Sequence, residues 1–189
     1  RAIKCLDPNL SIHPQIRQRF EAEAQAMAAI NHPNIVAIQD IGNVGSRYFI
    51  IMELMAGGSL WSRVERHGIL EPQHALDAVL SMAMGLEAAH NSKVIHRDVK
   101  PHNALISEGG VLKVTDFGIA RIDTDGNRTK TGVVMGTMNY MAPEQRLSAT
   151  RVTPASDLYA IGATLFAILT GHIKDNLFET DIQANAFAK

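Results

Sequence analysis

Apolar positions change their period several times along the chain, and each change marks an element. Ala2-Ile3-Lys4-Cys5-Leu6 alternates as a strand does, and Asp7-Pro8-Asn9 stops it. From Pro14 to Ile30 the period becomes helical: Ile16, Phe20, Ala24 and Met27 share one face, and charged residues fill the other. His32-Pro33-Asn34 ends that helix. Strands are predicted near Ile35–Asp40 and Tyr48–Leu54, joined through the Gly42–Gly45 turn. Ala56-Gly57-Gly58 breaks regularity and reads as a hinge, and Ser59 suits the cap of a short helix. A longer helix is predicted over Pro72 to His90, with Leu76, Val79, Leu80, Ala83 and Leu86 as its buried stripe. Short strands follow at Ala104–Ile106 and Leu112–Val114. The segment Ser156 to Thr170 is apolar nearly all round, which places it at the centre of a mainly helical body. Asp123–Thr131 is polar and turn-rich.

Composition narrows the class without naming it. Lys plus Arg number 18 against 19 Asp plus Glu, so there is no electrostatic reason to expect nucleic acid or an anionic membrane as a partner. Cys5 stands alone, which rules out an internal disulfide and fits a reducing compartment; a small buried apolar role is expected for it. The longest apolar run, Leu158 to Leu169, is too short to cross a bilayer. A start at Arg1, without Met and straight into an apolar run, reads as a piece of a longer protein. A membrane anchor or sensor domain would then lie outside it, with this part cytoplasmic.

Chemistry concentrates in His96-Arg97-Asp98-Val99-Lys100-Pro101-His102-Asn103, followed by Asp116-Phe117-Gly118 and later Ala142-Pro143-Glu144. Moving a phosphoryl group requires neutralised phosphates, a cation to hold the nucleotide and a carboxylate to orient the acceptor hydroxyl. Asp98, in a loop between a long helix and a short strand, suits the last task. Lys100 can meet the transferring phosphate, and Asn103 and Asp116 offer the hard oxygens that Mg²⁺ prefers. Gly118 lets the chain bend where a side chain would clash. Taken singly, Lys4 is a strand-edge lysine, His96 a core or surface histidine, and Thr129 and Thr131 are polar loop residues. The order of the motifs is what gives them chemistry. No zinc pattern and no Gly-Lys-Ser/Thr phosphate loop is present.

With these motifs the chain resembles the protein kinase family, most closely the bacterial serine/threonine kinases of eukaryotic type, from Ala2-Ile3-Lys4 through Asp157-Leu158-Tyr159. The resemblance implies an α+β fold in two incomplete lobes, residues 1–55 and 56–189. It implies ATP with Mg²⁺, or Mn²⁺ in its place, and transfer of the γ-phosphoryl group to Ser or Thr of protein substrates. By resemblance Lys4 holds the α/β-phosphates, and Glu23, with Glu21 nearby, is its ion-pair partner. Met52 stands at the gatekeeper position. The Glu53 carbonyl and Met55 amide would bond the adenine, which Ala2 and Leu105 would sandwich. Asp98 is the implied base, and Asn103 and Asp116 are the implied magnesium ligands. Lys100 and Thr137 mark a serine/threonine acceptor. Met27, Ile38, His96 and Phe117 resemble the regulatory spine, with Asp157 anchoring it. Arg97 would pair with a phosphate on Thr129 or Thr131, added by autophosphorylation, with a homodimer for the reaction in trans. The family's glycine-rich strands before Lys4 and its last helices do not appear, and no arginine can be assigned to Glu144. The alternatives are a non-catalytic scaffold of the same fold and a small-molecule phosphotransferase.

Overall fold

The computed structural model describes residues 1–118, 138–148 and 151–172. Thr129, Thr131, Thr137 and the Asp123–Thr131 segment lie outside the described residues. The first body is an antiparallel sheet in the order β1-β3-β2, with β1 Ala2–Cys5, β2 Ile38–Val44 and β3 Arg47–Met52. A single turn of helix, α1 (Pro8–Ser11), and the helix α2 (Pro14–Ala28) lie between β1 and β2. Leu6, Phe20, Ala24 and Ile50 form the core beneath the sheet. Asp7-Pro8-Asn9 ends β1 by starting α1: the Asp7 carboxylate accepts from the Asn9 amide at 2.8 Å and Pro8 occupies the first turn.

Two expectations need correction here. The hairpin turn is tighter than the Gly42–Gly45 reading: Gly42 lies within β2, and the turn falls at Gly45-Ser46, where Gly45 has φ +59°. Cys5 is exposed rather than buried. β1 is an edge strand whose more buried face carries Ala2 and Lys4, so Ile3 and Cys5 point outward.

The second body holds α3 (Leu60–His67), α4 (Pro72–Asn91), a 3₁₀ turn at Pro101–Asn103, the hairpin β4 (Ala104–Ile106) and β5 (Leu112–Val114), α5 (Pro143–Leu147) and α6 (Pro154–Thr170). Ser59 caps α3 as expected, its hydroxyl accepting from Ser62 N at 3.0 Å. The buried stripe of α4 is turned from the predicted one. Ala75, Val79, Met82, Leu86 and Ala89 are buried, while Leu76 and Leu80 are 52% and 56% exposed. Close approach decides the rotation. A Cβ on Gly85 would lie 2.6 Å from the Asn34 carbonyl oxygen, so the face with small residues is the one that docks. α6 packs on α4 through a core that includes Ala160 and Ile168, but Leu158 on its far side is exposed.

The two bodies are sewn together by backbone. Val36 N donates to the Val114 carbonyl and Val114 N to the Asn34 carbonyl. Gly57 N donates to Ile106 O, and Ile106 N to Gly58 O, both at 2.8 Å. The glycines read as a hinge also serve close contact. A Cβ on Gly57 would sit 2.7 Å from Ile106 O. Gly57→Ala is expected to cost about 1–3 kcal/mol by forcing the linker off β4. A urea midpoint unchanged from wild type would contradict this.

Candidate active site

The His96–Asn103 loop is held from behind by α6. The Asp157 carboxylate, 1% exposed, accepts from His96 N and Arg97 N at 2.9 Å each and meets His90 Nε2 at 2.8 Å. These contacts fix Arg97 in the left-handed region at φ +66°, a conformation that costs energy and persists only when neighbours enforce it. The sequence pointed to Asp157 as an anchor, whereas His90 carries no sequence signal. Gln145 of α5, also missed, donates from Nε2 to the Arg97 carbonyl at 2.6 Å.

His96 is fully buried. Its Nε2 donates to the Thr115 carbonyl at 2.9 Å, and its Nδ1 accepts from Asp98 N at 3.2 Å, which assigns the neutral tautomer. Burial pushes its pKa below the ordinary value, against the opposing pull of Asp157 and Asp98. The unfolded chain therefore takes up a proton below about pH 6.5 that the folded chain resists. Stability is expected to be full above that pH and to fall as the pH drops from there. A His96 ring that titrates at the ordinary value by NMR would contradict it. The ring also lies 4.4 Å from that of Phe117. Met27, Ile38 and Phe117 line one cavity beside Lys4.

The side chains that the motifs singled out form a connected series. Asp98 Oδ2 takes Lys100 Nζ at 2.9 Å and Asn103 Nδ2 at 3.0 Å. Asn103 Nδ2 also donates to the Asp98 carbonyl at 2.8 Å, and the Asn103 carbonyl accepts from Thr115 N at 2.9 Å. Asp116, next in the chain, takes Lys4 Nζ on Oδ1 at 2.5 Å. Asp116 also sits at φ +60°, so two of the three non-glycine residues with positive φ among the described residues are in this site. Lys4, Met52 and Asp116 border one cavity. Ala2 pairs with Met52 across β1 and β3, Leu105 bridges to Ser59, and Glu53 and Met55 begin the linker.

One expected pair is not formed. Lys4 is on Asp116, and Glu23 lies elsewhere, lining a cavity of about 260 Å³ with Arg97, Phe117 and Gly118. Burial raises the Glu23 carboxyl above its usual range, with Arg97 and Arg19 opposing. Lys4 satisfies its charge on the nearer carboxylate, so α2 sits without that tie. Glu144 is also not the lone group expected. Ser156, brought over by the Thr153–Ser156 capping box of α6, donates its hydroxyl to Glu144 Oε1 at 2.6 Å. Trp61, for which the sequence shows no chemistry, stacks on His102 at 5.4 Å between centroids, and burial and Lys100 lower the His102 pKa.

The match to known proteins covers the whole site: residues 1–188 fit the protein kinase domain. The chain belongs to the protein kinase family. It is 40% identical to the probable serine/threonine-protein kinase PknB of Lactococcus lactis over 91% of its length. It is 41% identical to serine/threonine-protein kinase PknL of Mycobacterium tuberculosis over 90%. It spans 27% of the first of these relatives and 43% of the second. Among solved structures, the PknI kinase domain of Mycobacterium tuberculosis superposes with a TM-score of 0.72 at 27% identity. That match covers 89% of this chain and 63% of that one. The family and the partial two-body kinase fold expected from the motifs are both borne out. No described helix is long and apolar enough to cross a membrane.

Proposed function

We propose that this kinase domain transfers the γ-phosphoryl group of ATP to Ser or Thr hydroxyls of protein substrates. One observation supports the reading: Lys4 meets Asp116, the neighbouring Thr115 amide donates to the Asn103 carbonyl, and Asn103 and Lys100 both meet the Asp98 carboxylate. In this scheme Asp98 receives the acceptor hydroxyl and draws off its proton as the oxygen attacks. Lys100, already beside Asp98, meets the phosphate being transferred. Lys4 turns from Asp116 to the nucleotide phosphates. The linker after β3 takes the adenine edge through the Glu53 carbonyl and Met55 amide, with Met52 behind it and Ala2 and Leu105 to either side. Residues 1–55 and 56–189 then act as the two lobes.

Protein kinases generally use ATP with Mg²⁺. The donors here fit that ion: Asn103 spends its amide nitrogen on Asp98, which leaves its oxygen to face a cation, and Asp116 adds a carboxylate. Two hard oxygens leave the remaining positions to phosphates and water, which suits Mg²⁺, with Mn²⁺ as a substitute. Bound there, the ion would neutralise phosphate charge.

Further parts of the proposal are protein partners carrying Ser or Thr, and a cytoplasmic setting. Autophosphorylation in trans at Thr129 or Thr131, next to the Thr137 segment, would act through Arg97. A second reading, a non-catalytic scaffold, is favoured by the separation of Glu23 from Lys4. Phosphorylation of a Ser/Thr peptide by the purified protein with ATP and Mg²⁺ separates the two. Turnover supports the kinase, and ATP binding without turnover supports the scaffold.

A further inference from the structure

The linker is held at both ends, and its first anchor is a side chain that the nucleotide chemistry does not use. Glu53 follows β3 and begins the linker. Its carboxylate collects partners from two other segments. Lys113 Nζ of β5 reaches Oε1 at 2.8 Å and Oε2 at 2.9 Å. Ala37 N, on the chain entering β2, donates to Oε1 at 2.7 Å. The Glu53 amide returns a bond to the Ala37 carbonyl at 3.1 Å. One carboxylate thus joins the sheet, the linker and the β4–β5 hairpin. Beyond it, none of the Leu54, Met55 and Ala56 amides has a backbone hydrogen bond among the described residues. The second anchor comes only where Gly57 and Gly58 bond Ile106. Those unsupported residues include the amide assigned above to the adenine edge.

We propose that the Glu53 carboxylate and Lys113 are a positioning pair, which pins the linker to β5 and sets its backbone at the height and angle the adenine requires. The proposal rests on the nucleotide reading of this cleft. The pair suits the task because it is sheltered. The side chains of Lys113 and Glu53 are 18% and 25% exposed, so water and salt weaken it less than a surface pair. It also spans far-apart sequence, so it constrains the two bodies and not just one strand. A preset linker binds nucleotide without first having to order itself. Neither residue touches the reacting groups, so the pair should govern nucleotide affinity and leave the transfer step alone.

Two measurements on the purified protein test this, with Lys113→Met, which keeps the stem and removes the ammonium, and Lys113→Arg, which restores a donor. The first is amide hydrogen exchange without nucleotide. Lys113→Met should speed exchange at Ala37 and across residues 53–57, with α4 and α6 unchanged, and Lys113→Arg should reverse it. The second is steady-state kinetics. Lys113→Met should raise the KM for ATP about fivefold to tenfold at a kcat within about twofold of wild type, and Lys113→Arg should recover most of the loss. Unaltered exchange in Lys113→Met overturns the pin. Faster exchange with an unchanged KM, or a fall confined to kcat, overturns the positioning role. A wild-type protein that binds no ATP would refute the nucleotide reading, and with it the positioning role, while exchange still reports on the pin.

Discussion

Asp98→Asn is expected to lower kcat for peptide phosphorylation by about 10²–10⁴, the range for losing a positioned general base. The substitution keeps the shape of the side chain and removes its charge and its capacity to take a proton. Asp98 is well placed for the role. Its backbone amide is tied to His96 Nδ1, its carbonyl to Asn103, and its carboxylate is bracketed by Lys100 and Asn103 with only 18% of the side chain exposed. Lys100 would lose the Asp98 charge, so a stability loss of about 1 kcal/mol should accompany the kinetic one. The KM for ATP should change little, because in the proposed scheme the carboxylate receives the acceptor and takes no part in holding the adenine. Steady-state assays alongside urea unfolding separate the two effects. A variant with near-normal kcat would remove Asp98 from the reaction.

Asp157→Ala should be the most damaging single change to stability, about 3–5 kcal/mol. Its carboxylate satisfies two amides and a histidine in a position with 1% exposure, so its removal leaves three polar groups without that partner beside a buried gap. Arg97 would also lose the contact that enforces its left-handed backbone. The loop carrying Asp98 should then relax, so activity should fall together with the unfolding midpoint. Asp157→Asn should recover only part of the stability, since its amide nitrogen would face an N–H donor. A urea midpoint within error of wild type would show that the anchor is dispensable.

The sequence by itself determined several of the elements and supplied the candidates for the reactive groups. Period changes placed α2, β4, β5 and α6 within a few residues of their observed bounds, because each buries a face whose spacing is written locally. The motif order also singled out Asp98, Asn103 and Asp116 as candidates, since few side chains can hold a metal or take a proton, and the family resemblance added Lys4. Tertiary structure decided which charge meets which. Lys4 chose Asp116 over Glu23, Glu144 found Ser156, and Glu53 found Lys113. Tertiary structure also turned α4 so that Gly85 faces Asn34 and Leu76 faces solvent, and it brought Gly57 against Ile106. A helix or strand follows from neighbours along the chain, but an ion pair or a close backbone approach depends on how far apart two distant segments come to rest. That distance is set by the packing of the whole molecule and leaves no local period to read.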